Sequence, residues 1–551
     1  MIKNTIFEEA IDEIIVDSLY KKLGNVVNDL SDKKSYEEIN KMILDINELR
    51  NEFLALYWIS YIGSILNLED EKYKKSEEVM GIYEPKFNTV VLKYYEFLNK
   101  TKYKEKLTEN FGKRLFDIAS NEARLLDEKV EGLLTKEHKV VSEYIKLVLS
   151  YKVNFKGEEI NYSGLTKYLT SDNREIRKEV FKVREEIINN LKPKLCEKYN
   201  ELINIREEIR NGLNLRSYNE YGYIKMNRIG YDKNDIHNLR KYVKKYFIPL
   251  YNELNKMKQD RFSYPLELYD EAILFEDGNP TFNYDLDEMI SRMKKILKKE
   301  NEELFELFDY MYKNELIDLK EKQNKRRVGI TTFFPKYKVP MFVQTMLMKA
   351  ENLITLYHEF GHSSQLYFNK EKLVQENRWP TFDICEIHSS SMELFMYQHI
   401  EDYFEKDSEK FKLLYLTNYI KEIISCVFRE EFYECIYTNP DMNFSERENK
   451  YISLGQEYYG DNFYENDKSW YIDFNRLEQP FYLIDYALDR ICSLANLKED
   501  NFNLNKYVDM CKIGGELSLK ELIEKMNLFS PFEEQDIKEA SKVFEKLIRR
   551  K

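Results

Sequence analysis

Apolar residues recur at every third or fourth position over long stretches of the first third of this chain. Residues 45–67 (DINELRNEFLALYWISYIGSILN) and 121–151 (NEARLLDEKVEGLLTKEHKVVSEYIKLVLSY) carry the pattern most clearly. That period lines apolar side chains along one helix face, so both segments predict long amphipathic helices. Only Pro85 precedes Pro193, and from there prolines return at 249, 265, 280, 335, 340, 380, 440, 480 and 531. Proline breaks helices, because it lacks a backbone donor and clashes with the preceding turn. Its placement predicts two helical lobes, 1–192 and 193–551. Residues 262–285 (FSYPLELYDEAILFEDGNPTFNYD) read as an irregular connection between helical blocks. Residues 329–344 (GITTFFPKYKVPMFVQ), rich in β-branched and aromatic side chains, are the best strand candidate. There is no fixed-period repeat and no glycine-rich phosphate loop. The expectation is a mainly α protein with one small β element near its middle.

Composition narrows the function classes. The chain has 551 residues, 43% of them apolar and 14% aromatic, which is ample for a large core and excludes a disordered chain. A net charge of -13 argues against a nucleic-acid partner and against an anionic membrane surface. The basic run KKILKKE (294–300) reads as a solvated helix face. The six cysteines form no CxxC pair and read as reduced thiols filling core space. Phe53–Leu68, the most lipophilic stretch, has 16 residues, short of the roughly 20 that span a bilayer. It reads as a buried helix. The first residues, MIKNTIFEEAIDEIIVD, interrupt their apolar stretch with acids and do not resemble a signal peptide. Cytoplasm is the expected location.

The chemistry is concentrated in NLITLYHEFGHSSQLYFNK (352–370), which contains His358-Glu359-Phe360-Gly361-His362. No proline falls between Pro340 and Pro380, so a helix can run through it. Residues four apart share a helix face, and both imidazoles can then reach one ion at about 2.0–2.1 Å. Glu359 would stand beside that ion rather than on it, where a base can take a proton from activated water. With only six His in the chain, HExxH arises by chance in well under about one in a hundred such sequences.

A catalytic zinc site of this kind needs a third protein ligand and an open fourth position. WPTFDICEIHSSSMELFMYQHI (379–400) offers one. Pro380 and Asp383 mark a helix start, which puts Glu386 in the first turn and Glu393 seven residues on, along the same face. Spacing alone leaves Glu386, Glu393 and Glu401 open as the ligand. His388, two positions past Glu386, is turned away on an ideal helix, and Cys385 points about a hundred degrees away and reads as structural. Glu393 is a candidate to orient His358 or His362 through the free ring nitrogen.

Three blocks together resemble the oligoendopeptidase F branch of the thimet-oligopeptidase-like zinc peptidases: HEFGH, EIHSSSME (386–393) and PFYLIDYALDRICSLA (480–495). Their order and spacing match too, as does YKVP upstream. The resemblance implies two helical lobes enclosing a deep substrate channel, with the small β element near the zinc helix. It implies one Zn2+ per chain, held by His358, His362 and Glu386, with Glu359 as general base. Tyr482 and Tyr486, four apart, would reach over the metal and donate to the oxyanion. His388 would contact the metal's surroundings or the substrate. The implied activity is cleavage of internal bonds in short peptides.

The chain also departs from that pattern. Asn475 stands where the branch usually has His, five residues before Pro480, and Leu483 replaces the second of two adjacent tyrosines. The stretch before the metal helix, QTMLMKAEN (344–352), has no glycine. Asn475 can donate a hydrogen bond but carries no charge. These departures leave open a low-activity relative that binds peptide without turning it over; HExxH itself also leaves open a helical zinc carboxypeptidase.

Overall fold

The computed structural model describes residues 2–549 except 10, 126, 465, 466, 468 and 499–501. The N-terminal helices Glu13–Asn28, Tyr36–Leu66, Glu71–Lys100 and Lys113–Glu122 pack around one apolar cluster that includes Val16, Leu23, Ile43 and Leu98. Ser35 starts the 31-residue helix Tyr36–Leu66 with a reciprocal cap, its hydroxyl on the Glu38 N–H and the Glu38 carboxylate on its own N–H. The same helix turns Ile59, Ile62 and Ile65 toward a second, larger cluster that runs through the rest of the chain. The lipophilic stretch is therefore shared between two cores. No described helix is long and apolar enough to cross a membrane.

The helix Arg174–Gly212 runs unbroken past residues 192 and 193 and carries Pro193 in its interior. Buried Ile187, Ile188, Leu191 and Leu195 flank the proline, so tertiary packing holds the helix through the missing hydrogen bond. The segment 262–285 is irregular, as its composition predicts, apart from a 3-10 turn at Leu268–Asp270 and an isolated antiparallel bridge from Thr281 to Lys349.

The β structure corrects the expectation of one element, because the described residues form two sheets. Strands Gly329–Phe334 and Val339–Gln344 form an antiparallel hairpin, and Ile317–Asp318 pairs parallel with the second strand. A separate hairpin, Lys152–Phe155 with Glu158–Asn161, turns at Lys156 and Gly157, whose φ values are 53° and 84°. Two positive φ values in a two-residue loop are the type I′ hairpin geometry. Strands of only four residues leave too little alternation to be read from polarity.

Four helices and the central hairpin position the chemistry. The helix Ala350–Phe368 carries HEFGH and lies on the central hairpin. It crosses the helix Phe382–Gln398, which packs on Leu483–Ser493, and Ser408–Thr438 backs the last of these. Phe382–Gln398 follows Thr381, has Asp383 in its first turn and is buried from Asp383 to Tyr397. Its acids, His388 and three serines must therefore find partners inside the protein.

Candidate metal centre and active site

Gly361 sets the crossing of the two central helices. A Cβ there would lie 2.7 Å from Ser389 Cα and 2.8 Å from the His388 carbonyl oxygen. Glycine in the middle of HEFGH and small serines opposite let the backbones approach, which carries Glu386 to the two histidines. The Tyr507 hydroxyl donates to the Gly361 carbonyl at 3.2 Å and closes the junction from outside.

The three ligand candidates converge. His358 Nε2 and His362 Nε2 are 3.2 Å apart, and Glu386 Oε2 lies 3.4 Å from the first and 3.5 Å from the second. Ligands bound to zinc at about 2.0–2.1 Å in a tetrahedron stand about 3.3 Å from one another. The triangle has those dimensions, and all three atoms offer lone pairs, so the donor set fits a zinc ion. Among the described residues no other group of His, Cys, Asp or Glu converges in this way.

The remaining ring nitrogens are occupied. With Nε2 turned toward the shared centre, the Nδ1–H of His358 donates to Glu393 Oε1 at 2.8 Å. Burial pushes the Glu393 carboxyl up, but Arg490 and His358 hold it down to about 2. Arg490 donates to Glu393 Oε2 at 2.9 Å, and Tyr415 donates to the same oxygen at 3.3 Å. Nδ1–H of His362 faces Cys385 Sγ at 3.3 Å. Cys385 is buried and contacts His362 from outside the ligand triangle, because the close crossing brings the His362 ring alongside it. Burial raises the Cys385 thiol well above its usual range, so the sulfur stays protonated. Burial also opposes charge on Glu386, yet the two imidazoles outweigh it and hold its carboxyl well below the ordinary range.

Tyr482 and Tyr486 both reach this cluster. The Tyr482 hydroxyl donates to Glu386 Oε1 at 2.9 Å, and the Tyr486 hydroxyl donates to Tyr482 at 3.1 Å. Burial and the Glu386 carboxylate push the Tyr482 phenol far above its usual range, so it remains a donor. Glu359 is buried, and Thr331 of the hairpin donates to its Oε2 at 2.6 Å. His388 is wholly buried, with Nδ1 on the Ile384 carbonyl at 3.1 Å, and has no exposed atom with which to touch a substrate. Asn475 is exposed in the short helix Phe474–Glu478. The glycine-free stretch before the metal helix still takes one left-handed residue, Met348, with φ 55°.

Residues 167–541 match Peptidase family M3, and residues 8–126 match the Peptidase M3 N-terminal domain. This chain belongs to peptidase family M3. Within the family it falls in the oligoendopeptidase F branch and is a metallopeptidase. The structure is similar to PZ peptidase A solved with an inhibitor, at 29% identity and a TM-score of 0.88 over 98% of both chains. A protein provisionally named oligoendopeptidase F from Bacillus anthracis str. Ames is 30% identical, with a TM-score of 0.85 over 96% of this chain and 95% of the other. Oligopeptidase PepF of Bacillus subtilis (strain 168) is 22% identical over 498 residues, 85% of this chain and 71% of that protein. The sequence does not mark Thr331, Arg490 or Tyr415 as functional. Thr331 lies in the strand candidate, but nothing in that strand's residues marks one hydroxyl for Glu359. Arg490 and Tyr415 reach Glu393 only through helix packing.

Proposed function

We propose that this M3 peptidase is a zinc-dependent endopeptidase that cuts internal bonds of short oligopeptides in a deep channel between two helical lobes that share the helix Arg174–Gly212. The carrying observation is the triangle of His358, His362 and Glu386, with separations of 3.2, 3.4 and 3.5 Å. A single zinc ion there would polarise the scissile carbonyl and lower the pKa of a water toward about 7. Glu359 takes the proton of the attacking water and returns it to the leaving amine. Tyr482 and Tyr486 keep their protons and donate toward the oxyanion as the carbonyl becomes tetrahedral. Glu393 holds the His358 ring by its Nδ1–H, and Arg490 keeps Glu393 ionised. Gly329–Phe334 is an edge strand of its sheet, so an extended peptide can pair along it and lie over the site.

The test pairs metal analysis with an internally quenched peptide blocked at both ends. The unaltered enzyme should cut it and carry one zinc per chain. Glu359→Gln should keep the zinc and lose cleavage, whereas His358→Ala should lose both. Full cleavage by Glu359→Gln defeats the mechanism. Cleavage only of substrates with a free C-terminus makes the chain a carboxypeptidase. Binding of peptide and zinc without turnover makes it a low-activity relative, a reading that the uncharged, exposed Asn475 favours.

A further inference from the structure

We infer that Thr331 is a positioning residue for Glu359, and that Gly329 clears the space in which the carboxylate is held. The inference rests on Glu359 being the general base. Both residues belong to the edge strand Gly329–Phe334, where alternate residues share a face. Glu359 approaches that face from the metal helix. Its Oε2 accepts the Thr331 hydroxyl at 2.6 Å, and an ideal Cβ on Gly329 would stand 2.7 Å from Thr355 Cγ2 and 3.0 Å from Glu359 Oε1. The strand therefore addresses both carboxylate oxygens, one by a donor and one by the absence of a side chain.

The Thr331 hydroxyl also lies 3.0 Å from the Glu359 carbonyl oxygen. It has one proton, and the carboxylate is both the nearer and the stronger acceptor. The same Glu359 carbonyl already accepts the Ser363 hydroxyl at 2.9 Å. Thr331 is buried, and no other side-chain donor within hydrogen-bond distance of the Glu359 carboxylate is found among the described residues. Glu359 would otherwise swing about three side-chain torsions in front of the metal. One short bond to a β-branched residue in a paired strand restricts it to one orientation, because threonine has few rotamers and its backbone is fixed opposite Phe342. The hairpin that can receive the substrate is thus the same element that aims the base.

A base misplaced by about 1 Å costs on the order of 100-fold in rate, without touching substrate affinity. The experiment compares Thr331→Val, which keeps the shape, with Thr331→Ser, which keeps the hydroxyl, alongside Glu359→Gln. Expected for Thr331→Val is a 10- to 100-fold fall in kcat with KM, zinc content and melting temperature unchanged. Thr331→Ser should recover kcat to within about threefold. Wild-type kcat in Thr331→Val, a loss not restored by serine, or a loss tracking zinc content or KM overturns the inference. If Glu359→Gln itself stays active, the general-base reading fails instead, so the two failures are distinguishable.

Discussion

Gly361→Ala puts the helix crossing to the test, because two ordinary arguments about glycine predict opposite signs. In a helix interior, alanine is more favourable than glycine by about 1 kcal/mol. At this position, however, the new Cβ would meet Ser389 Cα at 2.7 Å and the His388 oxygen at 2.8 Å. Carbon atoms settle at about 3.5–4.0 Å, so the two helices must part by about 1 Å. Overpacking of this kind costs about 1–3 kcal/mol, which outweighs the gain and leaves a net loss of up to about 2 kcal/mol. The separation also moves Glu386 away from His358 and His362, and metal sites tolerate only about 0.2 Å. Zinc affinity should therefore fall at least 10- to 100-fold. Chelator competition reads the affinity, and urea titration of the metal-free protein reads the stability. Gly24, in the helix Glu13–Asn28, has no atom within 4 Å of its Cβ position, so Gly24→Ala should stabilise by up to about 1 kcal/mol. A Gly361→Ala protein that is stabilised like Gly24→Ala and binds zinc as tightly as wild type would refute the crossing argument.

Under the proposed mechanism Tyr482→Phe should lower kcat by roughly 100-fold while zinc stays bound, because it removes an oxyanion donor; stopped assays on the quenched peptide measure this. Glu393→Gln should weaken zinc binding about 10- to 100-fold by releasing the His358 Nδ1–H, as read by chelator competition. His388 is buried and neutral, its pKa lowered by burial from 6.5 to about 4. The unfolded chain therefore binds a proton more readily than the folded one across that window. Stability from this site is intact above pH 6.5 and falls as pH drops toward 4, by about 3 kcal/mol in all. His388→Gln should flatten that part of the pH–stability curve, measured by urea titration between pH 4 and 7.

Much of the site was legible because its chemistry is local. HEFGH is five residues on one helix, and the four-residue period alone brings both imidazoles to one face. Glu386 was legible as one of several candidates, since spacing along a second helix cannot say which acid meets the first. The tyrosines were legible only through a family pattern, because Tyr482 and Tyr486 are two of 43 in the chain. The contact of Cys385 with His362 was not legible, because its partner arrives from the crossing helix. The hairpin at 152–161 went unseen because its turn, rather than its polarity, defines it. Proline placement marked 193 as a boundary, yet Pro193 lies inside a helix that neighbouring packing sustains.

What the chain determined by itself is what repeats at short range: long amphipathic helices, a strand-prone segment before the metal helix, and a pair of imidazoles one turn apart. Periodicity and local spacing act over a few residues, so they survive without knowledge of the fold. Tertiary structure decided everything that depends on how closely two backbones approach. The missing Cβ of Gly361 lets Glu386 complete the triangle, Glu393 and Cys385 take the outer nitrogens, and Thr331 reaches Glu359 from a strand 28 residues earlier. Those contacts are set by packing between elements, and distance along the chain carries no record of it.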